Sequence, residues 1–453
     1  MKLLVCVSFF VATLSFVTGD EPNLFDAFHR PKLNNSSESY KGVNNVSSSS
    51  AKHTTLDKAF LQRQDALLFT KVVGYPAVLL PGDGGNQLLA VLNRSEAAHI
   101  YCSKSADAFT LWLDLEELLP LAINCFTDNI RLIYDPKTKK SSSPDGVNIT
   151  VPGFGGTESV EWIDPSHLPF GEYFVGLVNA MVERGYKRGV SIRGAPFDFR
   201  MAPNTENAYF SQLKTLIEET YTLNNQRKVV IITHSLGGLF GLYFLNHMEQ
   251  SWKEKYVQAY APIASPFAGA AKVMRLFASG DNLDEKVINP LVVRPAQRTY
   301  PSSAFLMPSD TYWSANEVLI ITPKKNYTVS DFDEFFSDIQ FETGKLLRND
   351  TKDLVHDLVA PGVPVFHIHG KNMPTPERFI YDEIFQFPDD QPHVHYGAGD
   401  GTVNMRSLKS FLKWKNEQPQ QVEEYEIDKG EHLSILQMPQ LHQYLLQNVL
   451  IPH

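Results

Sequence analysis

The chain has 453 residues, 43% apolar and 20% charged, an ordinary globular balance. That length suits one large α/β domain with insertions, or two or three smaller domains. A net charge of −10 argues against a nucleic-acid partner, which needs a basic face. It does not argue against a membrane surface, which apolar residues can hold.

Met1–Gly19 carries Lys2, an apolar run Leu3–Val17 and small residues before Asp20. That is the charge, core and cleavage-site order of a cleaved signal peptide. It predicts a soluble luminal or secreted chain, because no later uncharged apolar stretch is long enough to span a bilayer. Residues 20–55 form a leader, rich in Asn and Ser over Asn34–Ser50, with too little apolar surface to order itself. Folded structure is expected from near Leu56. Cys6 leaves with the signal, so Cys102 and Cys125 remain. They can pair once internally, or stay reduced or pair between chains. Asn34, Asn35, Asn45, Asn93, Asn148, Asn326 and Asn349 each begin an N-x-S/T sequon. Adjacent Asn34 and Asn35 compete, so Asn45, Asn93, Asn148, Asn326 and Asn349 are the better glycan sites on a secreted chain.

Ala77–Leu80 reads as a short strand ending in a glycine-rich turn, Pro81–Asn86, whose N–H groups can face a cavity. Thr110–Pro120 places Leu111, Leu115, Leu118 and Leu119 on one helical face beside Trp112. Such a face, between the cysteines, suits either the core or a lipid surface. A helix over Tyr173–Arg184, a strand over Val190–Ile192 and a helix over Ala208–Leu223 follow. Val229–Ile232 is a buried β-branched run that breaks at Ser235 into Leu236-Gly237-Gly238, and Leu239–Met248 is helical. Further strands are expected at Val257–Ile263, Val363–His369 and Val422–Ile427, and a last helix at Leu441–Val449. Alternating strands and helices mean a mostly parallel sheet covered on both faces. About a hundred residues between Ile263 and Val363 leave room for an inserted cap.

The break at Ser235 is the strand–turn–helix setting of a nucleophilic serine, although Thr233 stands where the usual G-x-S-x-G has its first glycine. The bland alternative is a serine N-cap. A nucleophile needs a base and an orienting acid, and in this fold they follow in the order Ser, Asp/Glu, His. Asp400, in Gly397–Val403, and His432, after the last strand, have that order. Asp382 and Asp428 compete as acids and His234 as base. The oxyanion donors expected are the N–H of Leu236 and that of Asp83 in the first glycine loop. His367-x-His369 and His393-x-His395 invite a zinc reading. Without an acidic or cysteine partner at metal spacing they predict no metal and no cofactor.

The motifs as a set resemble the lysosomal phospholipase A2 and lecithin–cholesterol acyltransferase family. They are P-G-D-G-G-N-Q-L at Pro81–Leu88, F-T-L-W-L-D-L at Phe109–Leu115, D-N-I-R-L at Asp128–Leu132 and V-P-G-F-G at Val151–Gly155. R-G-A-P-F-D-F-R at Arg193–Arg200, H-S-L-G at His234–Gly237, G-D-G-T-V-N at Gly399–Asn404 and E-H at Glu431–His432 continue the series. The resemblance implies an α/β-hydrolase fold over 56–453, with a membrane-binding insertion at 89–127 held by a Cys102–Cys125 bridge. It implies a lid, for which about 265–360 is the expected insertion, and Ser279–Arg298, rich in Gly, Asp and Asn, is the candidate mobile lid segment. It implies a Ser235–Asp400–His432 triad, oxyanion donors at Asp83 and Leu236, and a membrane face made of Leu111, Trp112, Leu113, Leu115, Leu118 and Leu119. The implied activity is calcium-independent release of fatty acyl chains from glycerophospholipids at a membrane surface through a seryl acyl-enzyme. Water or a lipophilic alcohol accepts the acyl group. Lipoprotein particles are a further surface, and the lysosomal lumen or the exterior the destination. A secreted sterol acyltransferase and a catalytically silent lipid binder are the alternatives.

Asp83, Asp128–Arg131 and Asn404 favour the lysosomal phospholipase branch, and Gly238 replaces a cysteine of the plasma enzyme. Thr233 departs from the family's Gly or Ala and should crowd the elbow. Ala264–Gly269 departs from G-A-P-W-G-G, and His367 and Ser410 occupy the places of a second disulfide.

Overall fold

A computed structural model describes residues 74–282 and 288–451. The expected signal peptide, the leader, the start of folding near Leu56 and the sequons at Asn34, Asn35 and Asn45 lie outside the described residues. At the centre is a six-stranded sheet of β1 (Ala77–Leu80), β2 (Ile192–Gly194), β3 (Val229–His234), β4 (Val257–Ile263), β5 (Val365–Lys371) and β6 (Val422–Asp428). Its spatial order is β6-β5-β4-β3-β1-β2, and every neighbouring pair is parallel. Parallel strands need crossover connections, and those here bury both faces. Val78, Leu80, Val229 and Ile231 point into one core, with Leu213, Leu216 and Phe240 of the helices Asn207–Leu223 and Leu236–Asn246. Ala77, Leu79, Val230 and Ile232 point into the other, with Leu177, Met181 and Leu441. Alternation of side chains along β1 and β3 therefore feeds two cores at once.

Some boundaries differ from the sequence reading. The strand expected at Val190–Ile192 lies at Ile192–Gly194. The helix expected from Leu239 starts at Leu236, directly after the serine. The last helix is α-helical over Pro439–Tyr444 and widens to a π-turn over Leu445–Val449.

The first insertion corrects a larger expectation. Ser105–Trp112 is a β-strand, not part of a helix, and pairs with Leu88–Asn93, which in turn pairs with Val147–Thr150. The common helical face of Leu111, Leu115, Leu118 and Leu119 does not exist. Leu111 is fully buried and Leu113 nearly so, so neither can serve as a membrane contact. Leu115, Leu118 and Leu119 are half-buried around a single 3-10 turn, Glu116–Leu118. Cys102 and Cys125 are bonded, with Cα atoms 5.5 Å apart. The pairing stands at the exposed end of the insertion, beside Tyr101 and Leu121.

A third core, with Phe277, Phe335, Phe336, Trp313 and Leu319, lies within the stretch expected to form a cap. The 265–360 stretch does not close on itself. Its strands Val318–Ile321 and Asn326–Thr328 share a four-stranded sheet with Met373–Ile380 and His393–Gly399. Of the expected lid Ser279–Arg298, residues 283–287 lie outside the described residues. In the remainder, Arg298 donates to Phe277 O at 2.6 Å and Arg294 to Ala278 O at 2.8 Å. These bonds satisfy carbonyls left open at the end of the helix Lys272–Ser279. Among the described residues no helix is long and apolar enough to cross a membrane. Asn93, Asn148, Asn326 and Asn349 are all exposed.

Candidate active site

Ser235 sits between the end of β3 and the first residue of the following helix, with φ 51° and ψ −124°. This is a conformation that non-glycine residues rarely adopt. It is made possible by backbones that almost touch: a Cβ on Gly237 would lie 2.2 Å from Pro81 O. Thr233 is fully buried, but its Cγ2 faces Gly241, which has no side chain to oppose it. The expected crowding is absorbed there, in the second turn of the helix that follows the serine.

His432 comes from the loop after β6, while Asp400 does not follow β5 directly but ends the inserted hairpin Met373–Ile380/His393–Gly399, and both meet Ser235. His432 Nε2 is 2.9 Å from Ser235 Oγ, and its Nδ1 is 2.9 Å from Asp400 Oδ2. Asp400 is fully buried. Its Oδ1 accepts from Thr402 N at 3.0 Å and Val403 N at 2.7 Å, which fixes the carboxylate in the glycine loop. Burial lowers the His432 pKa, but the Asp400 carboxylate outweighs it and holds the imidazole above its ordinary value. A base so placed can accept a proton from the serine and keep it through a charged intermediate.

The competing residues are elsewhere. Asp382 pairs with His393 at 3.1 Å, and Asp428 accepts from Asn372 at 2.6 Å. His234 is buried behind the elbow, where burial and the neighbouring His432 push its pKa far down.

Leu236 opens its helix, so its N–H has no carbonyl one turn behind it and points out of the helix end. Asp83 follows β1 in the facing loop. The residue is exposed at the surface, with protein packed around its carboxyl. Desolvation and the charge of Asp281 push it up to about 7. Asp281 itself is held by Arg275 at 2.6 Å and by Lys272 at 3.5 Å. Trp112 packs against Phe126 and Phe199 and donates from Nε1 to Gly84 O at 2.8 Å. It supports the glycine loop from beneath.

The histidine pairs also need correction. Parallel pairing of β5 with β6 puts Glu424 Oε1 3.0 Å from His369 Nε2, with Glu426 beside it. The acidic partners that spacing alone did not supply are therefore present. Their carboxylates are engaged by Lys371 at 2.8 Å and by Lys409 at 2.8 and 3.4 Å. That charge balance is an ion-pair network. His367 packs edge-on against Phe411. Neither the Trp112 support nor the Glu424 contact had a signal in local spacing.

A family of lecithin:cholesterol acyltransferases matches residues 108–439. The chain is 44% identical to the lysosomal phospholipase A and acyltransferase of Canis lupus familiaris, covering 80% of this chain and 88% of the relative. It is also 44% identical to the Homo sapiens protein of that name, covering 80% and 87%. Identity to the phosphatidylcholine-sterol acyltransferase of Gallus gallus is 39%, covering 80% and 87%. The chain belongs to the lecithin:cholesterol acyltransferase family.

Proposed function

We propose that the protein is a calcium-independent phospholipase A and O-acyltransferase acting on glycerophospholipids through a seryl acyl-enzyme. The observation that carries this reading is His432 lying 2.9 Å from both Ser235 and Asp400. Ser235 Oγ attacks the ester carbonyl while His432 Nε2 takes its proton, and Asp400 steadies the imidazolium. The N–H groups of Leu236 and Asp83 receive the oxyanion. His432 then protonates the departing lysophospholipid oxygen, leaving the acyl group on Ser235. Water or a lipophilic alcohol such as ceramide enters, gives its proton to His432 and takes the acyl chain, while His432 returns that proton to Ser235 Oγ as the acyl-enzyme bond breaks. The higher identity to the lysosomal phospholipase A and acyltransferases than to the sterol acyltransferase supports the phospholipase A and acyltransferase reading and a lysosomal destination.

The substrate is presented at a lipid surface, either membrane or lipoprotein. We place the contact on the disulfide-closed end of the first insertion, with Leu115, Leu118 and Leu119 joined by the exposed Leu121. Fluorophosphonate labelling and liposome deacylation, with Ser235→Ala beside wild type, test the reaction. Ser235→Ala should lose labelling and at least about 10³-fold in rate. Retained deacylation in that variant sinks the reading, and a wild type that binds liposomes without releasing fatty acid marks a silent lipid binder.

A further inference from the structure

Behind the elbow a chain of hydrogen bonds links the three loops that meet at Ser235. Gly82 N donates to the Tyr173 hydroxyl at 2.9 Å. The same hydroxyl makes a short contact with His234 Nδ1. His234 Nε2 lies 2.9 Å from the main-chain carbonyl of His432. Tyr173 and His234 are both almost wholly buried, at 2% exposure each.

The directions of these bonds follow from a single fixed donor. A backbone N–H can only donate, so the Tyr173 oxygen accepts from Gly82. Its own proton is then directed to His234 Nδ1, which must be the bare nitrogen. His234 therefore carries its proton on Nε2, where the His432 carbonyl, a pure acceptor, receives it. Every polar atom of the chain is satisfied in one way only. Burial and the adjacent His432 hold His234 neutral, as this arrangement requires.

Each end of the chain touches the reaction. Gly82 precedes Asp83, the proposed oxyanion donor, and a Cβ on Gly82 would come within 2.7 Å of the Ser235 Cβ. His234 precedes the nucleophile. His432 is the base, and its own N–H is tied to Asp400 O at 2.9 Å. We propose that Tyr173 and His234 are positioning residues, forming one directed relay that sets the spacing of the oxyanion loop, Ser235 and His432. The inference rests on the triad reading given above. Neither side chain touches substrate, so the relay acts on geometry, and its loss should fall on the chemical step rather than on substrate binding.

The test compares Tyr173→Phe and His234→Gln with wild type and Ser235→Ala on a soluble ester. Tyr173→Phe removes the hydroxyl and leaves the ring. His234→Gln can keep a donor to the His432 carbonyl but cannot also receive Tyr173. Each variant should lose roughly 10-fold to 100-fold in kcat with KM within about twofold, the scale expected for small misplacement of reacting groups. The double variant should be little worse than the weaker single one, because the relay acts as a unit. Thermal midpoints, measured on the same samples, convert rates to rates per folded molecule. Wild-type kcat per folded molecule in both single variants overturns the relay, as does full additivity in the double. If Tyr173→Phe fails to fold, His234→Gln decides alone by the same criteria. A nitrogen-15 spectrum supplies a second reading: His234 should be the Nε2–H tautomer in wild type, and an Nδ1–H tautomer overturns the assignment. Activity surviving in Ser235→Ala overturns the triad itself. A dead Ser235→Ala with fully active Tyr173→Phe and His234→Gln overturns only the relay.

Discussion

The indole N–H of Trp112 donates to the carbonyl of Gly84 at 2.8 Å. Trp112 closes the strand Ser105–Trp112 of the first insertion, and Gly84 stands one residue beyond Asp83 in the loop after β1. A residue whose neighbours suggest lipid contact is thus part of the floor beneath the proposed oxyanion loop. Trp112→Phe keeps most of the ring packing and removes the donor, leaving one half-buried carbonyl without its partner, at about 1 kcal/mol. It should therefore slow hydrolysis of a soluble ester as well as of vesicle lipid. Vesicle binding measured by flotation should stay close to wild type. Loss of vesicle binding with an unchanged soluble-ester rate would return Trp112 to the membrane.

Asp83 gives the site a pH dependence with a definite sign. Its carboxyl, pushed up to about 7, is neutral below that pH and charged above it. In the charged form it faces Asp281 and adds negative charge beside the place where an oxyanion develops. Both wild type and Asp83→Asn should gain rate as His432 loses its proton, but the wild type should gain less as pH rises through about 7, so the wild-type to Asp83→Asn rate ratio falls there. Stability should follow the same direction. A carboxyl whose folded pKa lies above its ordinary 3.8 binds more protons in the native state. It therefore lowers stability progressively as pH rises from that value to about 7. The thermal midpoint of Asp83→Asn should match wild type near pH 4 and exceed it near pH 8. A parallel shift at both pH values would rule out titration of Asp83 as the cause.

What could be read from the sequence, and what could not, divides by range along the chain. Ser235, Asp400 and His432 were legible because each lies in a local pattern, a strand that breaks into glycines or a loop directly after a strand. Their meeting was legible because the order of such loops is fixed by a parallel sheet. The Thr110–Pro120 segment was not. Its leucines fit a helical period, but pairing of Ser105–Trp112 with Leu88–Asn93 decided the conformation, and pairing is a tertiary fact. The Tyr173–His234 contact spans 61 positions and the His369–Glu424 contact 55. No periodicity reaches so far, so both appear only when register is known.

Gly238 and Ser265 form a compensating pair. A Cβ at Gly238 would lie 1.9 Å from Ser265 Oγ and 2.5 Å from its Cβ. Both residues are buried. The cysteine that the plasma branch carries at this place cannot enter here without displacement. Gly238→Cys should destabilise the fold by about 1–3 kcal/mol, the scale of overpacking. Ser265→Ala, which removes the nearer atom, should restore part of that loss in the double variant. Denaturant midpoints of the two single variants and the double measure the coupling. Strict additivity would mean that the two sites do not share this space.

The exposed end of the first insertion carries a cluster of apolar side chains. Ile100 is fully exposed, Tyr101 is 48% exposed and Leu121 is 63% exposed. The Cys102–Cys125 bond and the Asn124–Tyr101 hydrogen bond at 3.2 Å gather them at one end of the module. A pinned apolar cluster loses little entropy on contact with a bilayer, so its burial is retained as binding energy. Placing a charge at each of two such positions should weaken partitioning by more than tenfold. Ile100→Glu with Leu121→Glu should therefore reduce vesicle binding and vesicle-lipid deacylation together. The soluble-ester rate should be unchanged, because neither side chain reaches the oxyanion loop. Ile100→Leu with Leu121→Ile should behave as wild type in all three assays. A double glutamate variant that still binds vesicles at the wild-type level would move the lipid contact to another face of the protein.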